Sequence, residues 1–522
     1  MKYRRQHKSL FCISILGPFY FLLLQCFSTV TASNYAATYN PTDNIALDCG
    51  SSGNSTASDG RAWTGDIGSI LATLQPLDTT IAARAIRQGP VEGIPYLTAR
   101  MSSSQFTYTF LVSAGLKFVR LYFYPSWYPG FDRSKALFSV KSGPFTLLSN
   151  FRADLVADSL GLEYFVREFC INVEENQLLN LTFSPSPSSS NDSYAFVNGI
   201  EIVSMPHNLY YTPAGADGIP FIGQTYFYEI ENITALETMY RLDVGGHSIS
   251  PTGDSGMFRF WSDDNQFFMG GGVIPDKANS TIKYTKETPA YIAPAEVYQT
   301  SRSMGPNKTW NMRNNLTWVL PVDLGFRYLV RLHLCETNRA ITQVSDRQFI
   351  IYIDGEMVDE AADAIIWSGG NSIPAYRDYL AMIGFEGTQG KYNLSIDLHS
   401  RAGFSVYIDA VLNGIEIFKL NSTTGSLAGP NPEPPKTIFL TEPSQLTIKG
   451  SSNKKTTFIA VGVIVTVGLV LLSLRLYTMF RLQRESKDHG YKLKFTETKA
   501  SLLPWEVCLQ FSKAETKEVT HV

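Results

Sequence analysis

The sequence predicts an all-β fold with two β-sandwich domains in tandem. The first observation is an internal duplication: Asn198–Ile202 (NGIEI) recurs as Asn413–Ile417, and Val119–Leu121 (VRL) recurs as Val330–Leu332, in the same order along the chain. Segments that repeat in one order are typical of two copies of a domain. The second observation is a period of two in the alternation of apolar and polar residues, which is typical of strands with one solvated face.

The alternation is clearest at matching places in the two copies. Leu394, Ile396 and Leu398 are separated by polar residues, and the segment from Leu179 to Phe183 follows the same pattern. Helical periodicity is scarce, and we expect only one short helical turn, near residues 150–160. The most economical arrangement of such strands is a two-sheet sandwich in each copy.

Turn signals mark the ends of several predicted strands. Pairs of Asn or Asp with Gly accept the positive φ angles of a tight hairpin, and they stand between apolar runs at Asn198-Gly199, Asp354-Gly355 and Asn413-Gly414. We place the first domain at residues 40–206, a linker at 207–225 and the second domain at 226–421.

Residues 1–32 have the pattern of a secretory signal peptide. Basic residues precede an apolar run from Leu10 to Phe27, and Val30-Thr31-Ala32 supplies small residues for cleavage. We therefore expect the two sandwiches to be exported.

A second apolar segment predicts one transmembrane helix at residues 457–480. Thr457 to Leu474 contains no charged residue and would be about 27 Å long as a helix, close to the hydrocarbon thickness of a bilayer. Residues 422–456 are rich in Pro, Ser and Thr and predict a stalk, whereas residues 481–522 lack apolar periodicity and predict a short disordered cytosolic tail. The layout is that of a single-pass type I membrane protein.

The exported segment carries glycosylation signals and few cysteines. Nine Asn-x-Ser/Thr triplets lack an intervening proline: Asn54, Asn180, Asn191, Asn232, Asn279, Asn307, Asn315, Asn393 and Asn421. Of the six cysteines, only Cys49, Cys170 and Cys335 lie in the exported part. A disulfide between Cys49 and Cys170 and three buried free thiols are equally compatible with the sequence.

Composition and motifs exclude several classes of function. A net charge of −3 with 17% charged residues is not that of a nucleic-acid-binding protein. Neither metal-ligand spacing nor a nucleophile motif is present, so we expect no cofactor and no metal. Asp66 after Trp63 and Asp264 after Trp261 recur between the copies, and we interpret them as parts of a turn that the fold requires.

A candidate ligand-binding loop follows one strand of the first copy. The run from Tyr122 to Phe131 ends in Trp127, Tyr128 and Phe131, whose rings suit a sugar or an apolar peptide side chain. In the alternative interpretation these rings pack into the sandwich. The corresponding loop of the second copy is polar and contributes one further candidate ligand residue, Arg339. Because this loop lacks the rings, the first copy is favoured as the aromatic binding site.

Several long strings resemble the ectodomain of plant malectin-like receptor kinases of the FERONIA type: Leu47–Ser51 (LDCGS), Phe118–Pro125 (FVRLYFYP), Asn314–Trp318 (NNLTW), Tyr328–Glu336 (YLVRLHLCE) and Gly425–Pro432 (GSLAGPNP). The resemblance implies two tandem malectin-like β-sandwiches at the plasma membrane, with the ectodomain in the apoplast. It also implies four partners: rapid alkalinisation factor peptides, a LORELEI-like anchored co-receptor, cell-wall pectin and full-length malectin-like receptor kinases.

The sequence departs from this family after the predicted span. It contains no glycine-rich loop, no Val-Ala-Ile-Lys-like lysine, no His-Arg-Asp and no Asp-Phe-Gly, so we expect a co-receptor or decoy without enzymatic activity. Two alternatives are a cell-wall polysaccharide tether and a shortened gene model of a receptor serine/threonine kinase. A carbohydrate-active hydrolase is the weakest interpretation, since it requires two carboxyl groups roughly 5–10 Å apart in a cleft.

Overall fold

The computed structural model describes residues 38–86, 93–187, 192–270, 273 and 275–434. The predicted signal peptide, membrane span and cytosolic tail lie outside these residues, as does the part of the predicted stalk beyond residue 434. All described residues belong to one compact unit, residues 1–436. None of the helices in this described part is long and apolar enough to cross a membrane.

The first copy is built from short strands and one helix. Its strands are β1 (Asn44–Ser52), β2 (Asn54–Thr56), β3 (Ala62–Ile67), β4 (Thr73–Gln75), β5 (Ile81–Arg84), β6 (Thr98–Ser102), β7 (Phe106–Leu111), β8 (Gly115–Phe123), β9 (Leu137–Ser142), β10 (Phe145–Arg152), β11 (Phe165–Val173), β12 (Leu178–Pro185), β13 (Ala195–Val197) and β14 (Gly199–Ser204). Helix α1 (Ala153–Leu160) lies where the sequence predicts a helical turn, and a 3-10 helix covers Arg133–Lys135.

The second copy repeats this pattern. A small hairpin of β15 (Ile219–Pro220) and β16 (Phe227–Tyr228) precedes it. Its strands are β17 (Leu236–Asp243), β18 (Ser262–Asp263), β19 (Pro275–Lys277), β20 (Thr300–Ser303), β21 (Asn315–Asp323), β22 (Phe326–Cys335), β23 (Phe349–Ile353), β24 (Glu356–Ala362), β25 (Pro374–Ile383), β26 (Lys391–Ser400), β27 (Val411–Leu412) and β28 (Gly414–Leu420). The helices are α2 (Ala295–Gln299), α3 (Lys308–Asn311) and α4 (Ala364–Ser368), with a 3-10 helix at Pro251–Gly253.

The strand order of the three sheets of each sandwich recurs between the copies, apart from the extra edge strands β2 and β4 of the first copy. The principal sheet runs β3-β1-β14-β8-β11 in the first copy and β18-β17-β28-β22-β25 in the second. The facing sheets run β10-β9-β12-β7 and β24-β23-β26-β21, and each copy adds a small third sheet, β13-β6-β5 or β27-β20-β19. The prediction of an all-β fold is confirmed, and side chains from the facing sheets form the core of each copy.

The two principal sheets are joined edge to edge. β11, the last strand of the first sheet, pairs antiparallel with β17 of the second, with Phe169 opposite Glu237 and Cys170 opposite Leu236. These two residue pairs connect the principal sheets of the two copies into one continuous sheet. This joint is a long-range pairing that no local sequence pattern reveals.

The segment predicted as a linker, residues 207–225, contributes to a core. Leu209, Tyr210 and Tyr211 are buried in a cluster that contains residues of both copies. Ile222 N donates to the Leu380 carbonyl at 2.9 Å, so the hairpin segment covers the outer edge of β25. The chain between the copies is a packed part of the junction, while the predicted domain limits at 206 and 226 stay predictions.

One of the three predicted hairpin turns forms as expected. Asp354 and Gly355 connect β23 to β24 with positive φ angles of 54° and 79°, the backbone of a type I′ turn. The Asn-Gly pairs at 198 and 413 are different. Each Asn stands between two strands that belong to different sheets, β13 and β14 or β27 and β28.

The side chain of Asn198 explains why a buried Asn occupies this position. Its Nδ2 donates to the Thr98 carbonyl at 2.7 Å, and its Oδ1 accepts from Tyr124 N at 2.7 Å. Asn413 makes the two corresponding bonds, both also at 2.7 Å. The repeated Asn thus links the small sheet to the end of β8 or β22, and the prediction of a hairpin turn there is wrong.

The described cysteines are unpaired thiols. Cys49, Cys170 and Cys335 are all buried and free. Cys49 lies in the core of the first sandwich, whereas Cys170 lies in the cluster at the junction of the copies. The possible Cys49–Cys170 disulfide does not form, because the two side chains belong to separate cores, and the alternative of buried thiols describes the protein.

Candidate ligand-binding site

The aromatic loop of the first copy mostly packs inward. Tyr128 is 2% exposed; its hydroxyl donates to the Tyr124 carbonyl at 3.0 Å and accepts from Asn198 Nδ2 at 2.8 Å. Phe131 is partly buried, with its ring centroid 4.8 Å from that of Tyr194. Only Trp127, at 49% exposure, remains at the surface. The prediction of a ligand surface is therefore wrong for Tyr128, and the packing alternative describes this loop.

The corresponding edge of the second copy contains a cavity of about 380 Å³. Tyr194 and Asp409 each stand four residues before the repeated Asn, so the same place is compared in both copies. Where the first copy packs Tyr194 against Phe131, the second pairs Asp409 with an arginine. The lining comes from the loops after β22 and before β27, together with α3 and β19, and its polar residues include Asp276, Lys308, Glu336, Asn338, Arg347 and Asp409.

A buried arginine organises this cavity. Arg347 Nη1 donates to Glu336 Oε2 at 2.7 Å, and Nη2 lies 2.9 Å from Asp409 Oδ2. Its Nε is buried without a hydrogen-bond partner among the described residues. Burial raises the pKa of both carboxyl groups, and the nearby Arg347 cation only partly offsets that rise.

Backbone hydrogen bonds fix both carboxylates. Asp409 Oδ1 accepts from Met304 N at 2.7 Å and from Ala410 N at 2.8 Å, while Glu336 Oε1 accepts from Asn338 N at 2.8 Å. Each carboxylate is therefore held in place by Arg347 on one oxygen and by backbone on the other. The arrangement suits binding of a polar ligand, which was not anticipated because the lining residues are dispersed from 276 to 411.

Arg339, the predicted ligand residue of the second copy, is exposed in the loop after β22. This loop does border the cavity through Glu336, Thr337 and Asn338, but Arg339 is not among the lining residues. The predicted loop therefore borders the cavity although Arg339 itself does not line it, and a role of Arg339 in ligand binding stays a prediction.

The repeated Trp-Asp signature stands at a turn in each copy, as predicted: the Asp66 carbonyl accepts from Ser69 N at 3.4 Å, and the Asp264 carbonyl accepts from Phe267 N at 3.0 Å. The two carboxylates also have a structural role. Asp66 Oδ1 accepts from Gly50 N at 2.9 Å and from Arg100 Nη2 at 2.8 Å. In the second copy Asp264 Oδ1 accepts from the corresponding Gly and Arg at 3.0 and 2.8 Å. A further side chain from the facing sheet donates to each carboxylate, through Tyr108 Oη or Trp318 Nε1. A buried salt bridge with the same kinds of partner therefore connects the sheets of each sandwich.

A charge network crosses the seam between the copies. Glu168 of β11 accepts from Arg120 Nε at 2.5 Å and from Arg241 Nη2 at 2.9 Å. Arg241 also donates from Nε to Glu416 at 2.8 Å. Burial alone would raise the pKa of Glu168, but Arg241 and Arg120 outweigh it and lower this pKa to about 2.

The glycosylation signals fall mainly on solvated positions. The exposed ones are Asn54, Asn180, Asn232, Asn279, Asn307 and Asn393. Asn315 and Asn421 are partly buried, and Asn191 lies outside the described residues. Glycosylation at these positions stays a prediction. Within the described part of the chain, no group of three or more His, Cys, Asp or Glu side chains could hold a metal ion.

Comparison with known proteins places these features in a family. The chain is 39% identical to the receptor-like protein kinase FERONIA of Arabidopsis thaliana over 530 residues, which cover 96% of this chain and 58% of FERONIA. It is 36% identical to the Arabidopsis thaliana kinase ANXUR1, over 75% of this chain and 45% of ANXUR1. This chain therefore spans about half the length of the curated relatives it matches.

Solved structures match about three quarters of this chain. A crystal structure of the plant receptor-like kinase FER aligns with 43% identity and a TM-score of 0.68, covering 75% of this chain and 100% of that one. FER in complex with the plant peptide RALF23 and LLG2 aligns with 44% identity and a TM-score of 0.68, over 76% and 100%. The model of the malectin-like domain family matches residues 47–420, and the chain belongs to that family, as a homologue of the FERONIA and ANXUR ectodomains.

Proposed function

We propose that this chain is a ligand-binding receptor ectodomain at the plant plasma membrane, and that its ligand is a peptide of the rapid alkalinisation factor type. The observation that carries the proposal is the match to FER in its complex with RALF23 and LLG2, at 44% identity over 76% of this chain. An LLG2-like anchored protein is the proposed co-receptor. The predicted signal peptide and span are consistent with this location.

We place the ligand contact at the cavity around Arg347. Among its charged lining residues, Asp276, Glu336 and Asp409 outnumber Lys308 and Arg347, so the lining carries an excess of negative charge. A basic peptide side chain is attracted to such a surface, whereas a polyuronate such as pectin is repelled. Pectin is accordingly a less favoured ligand for this cavity than a basic peptide.

The test is peptide binding to the full chain in detergent. Asp276 is exposed at the rim, so Asp276→Lys reverses a charge without disturbing the core. We expect this variant to weaken binding of a basic alkalinisation-factor peptide about 10-fold, and Lys308→Glu to strengthen it. Asp78→Lys, an equally exposed change in the first copy, is the control. Equal affinities for all three variants would move the peptide site away from this cavity.

The proposed location at the plasma membrane can be tested separately. Surface labelling of intact plant cells, followed by endoglycosidase digestion, should find the chain at the plasma membrane with its glycans outside. Labelling only after the cells are opened would contradict the proposal.

A further inference from the structure

After β28 the chain folds back onto the first sandwich. We call residues 425–431 the clasp. Thr146 N donates to the Gly425 carbonyl at 3.0 Å, and Leu427 N donates to the Thr146 carbonyl at 2.9 Å. The clasp thereby pairs parallel to the edge of β10, with Ser426 opposite Thr146. The last strand before the clasp belongs to the second copy, so this segment spans both.

The clasp is anchored at two points on the first copy. Leu427 is fully buried in the first core, together with Leu147 and Phe151. Farther along, Asn431 Oδ1 accepts from Arg152 N at 2.9 Å, and Asn431 Nδ2 donates to the Asn150 carbonyl at 2.6 Å. The part of the predicted stalk that the structure describes is therefore docked on the ectodomain and does not extend away from it.

Between these anchors the clasp covers charged groups at the seam. A Cβ atom on Gly429 would lie 2.1 Å from Asp323 Oδ2, so the backbone rests directly on this carboxylate. Lys419 Nζ lies 2.9 Å from Asp323 and 2.5 Å from Glu237, and Arg167 of the first copy lies 3.0 Å from Glu237. Only about 30 Å³ remains between the clasp and these groups, room for about one water molecule.

We propose that the clasp is a releasable lock on the seam between the two sandwiches, opened by displacement of the chain beyond residue 434. The reason is connectivity: Asn431 is the last anchor before that residue, so a displacement reaches the clasp before it reaches β28. Release admits water to the Lys419 cluster and weakens its ion pairs by raising the local dielectric constant. The β11–β17 joint, with two residue pairs, then loses its cover. This inference does not depend on the proposed ligand.

Hydrogen exchange on the full chain in detergent tests the lock. Gly429→Ala forces a methyl group against Asp323 and should displace the clasp. We expect at least 10-fold faster exchange at the amides of Thr146 and Arg152 and in segments 165–173 and 236–243. The facing sheet of the second copy, β21 with β26, should keep its protection. Gly93→Ala is the control, because its Cβ would meet only Leu97 Cδ1, at 3.8 Å.

A crosslink separates release of the clasp from local damage at Asp323. Thr146→Cys with Ser426→Cys, oxidised in the Gly429→Ala background, should hold the clasp on β10 and restore slow exchange at the seam, and reduction should undo this. The proposal is overturned if Thr146 loses protection while the seam keeps it. It is also overturned if Gly429→Ala, or Leu427→Asp as an independent way to displace the clasp, unfolds both sandwiches together.

Discussion

In the first sandwich the edge beside β8 is filled by Tyr128, Phe131 and Tyr194, whereas in the second the same edge is open around Arg347 and Asp409. The strand order around these edges is the same. A duplicated fold can therefore exchange the content of one edge, from packed rings to a polar cavity, while its sheets are retained.

The retained part includes a polar framework as well as apolar core residues such as Ile200 and Ile415. Asp66 and Asp264 each bind an Arg and a Gly from neighbouring segments, and Asn198 and Asn413 each link two sheets. A buried carboxylate with these partners cannot be replaced without leaving a buried cation unpaired. A ring at the edge contributes mainly its own burial, so it can be exchanged more freely.

The framework can be broken in either copy with a similar result. Asp264→Ala leaves Arg302 buried without its carboxylate, and we expect it to lower the free energy of unfolding by about 3–5 kcal/mol. Asp66→Ala should cost a similar amount, as measured by denaturant unfolding of the full chain. Asp263→Ala is the control, because that side chain caps only Asn265 N. A much smaller effect in one copy would show that the two frameworks are not equivalent.

Loss of a predicted ligand residue should affect stability strongly at the first edge and hardly at all at the second. Tyr128→Ala removes a buried ring and should destabilise the protein by about 3–5 kcal/mol. Arg339→Ala removes an exposed side chain and should change stability by less than about 0.5 kcal/mol. Thermal unfolding of both variants checks this. If the Tyr128→Ala protein were as stable as wild type, the Tyr128 ring would have to lie at the surface and not in the core.

The two copies also share a pH response. Burial is the main cause that raises the pKa of Asp48 to about 6 and that of Asp243 to about 7, above the ordinary 3.8. A raised carboxyl pKa means that the native state binds the proton more tightly. This contribution to stability is therefore complete below about pH 3.8 and is lost as the pH rises through 6 to 7.

The free energy of unfolding should consequently fall between about pH 4 and 7, by roughly 1–3 kcal/mol for each carboxyl group. Asp48→Asn and Asp243→Asn should each flatten this slope, the double variant most. Denaturant unfolding across the pH range measures it, with Asp78→Asn at an exposed site as the control. A slope unchanged in the double variant would assign the pH response to other groups.

Local patterns account for what could be predicted from the sequence. Alternation revealed the strands, the order of repeats revealed the duplication, and Asp354-Gly355 revealed its hairpin, because each depends on neighbouring residues. The buried Asn198 had the same sequence signal as a turn residue. What distinguishes Asn198 from a turn residue is its hydrogen-bond partners, which lie about 70 to 100 residues away in the sequence. A local periodic pattern contains no information about such distant partners.

The clasp and the cavity around Arg347 could not be predicted for the same reason, because both depend on contacts between residues far apart in the sequence. The clasp lies in a stretch rich in Pro, Ser and Thr, and a single Leu427 gave no sign of a docking site on another domain. The cavity depends on Arg347 meeting Glu336 and Asp409 from separate loops. One usable signal was present: Gly50 and Gly245 recur after Leu-Asp-x, and their positive φ angles of 80° and 72° mark a backbone that approaches a neighbour closely.

The β11–β17 joint has a consequence for any attempt to separate the modules. Cutting the chain between the modules would expose β11 in one half and β17 in the other as edge strands, whose unpaired amide and carbonyl groups can pair with another chain. Such fragments would tend to self-associate, so the pair, and not the single module, is the smallest unit that evolution or an engineer can transplant intact.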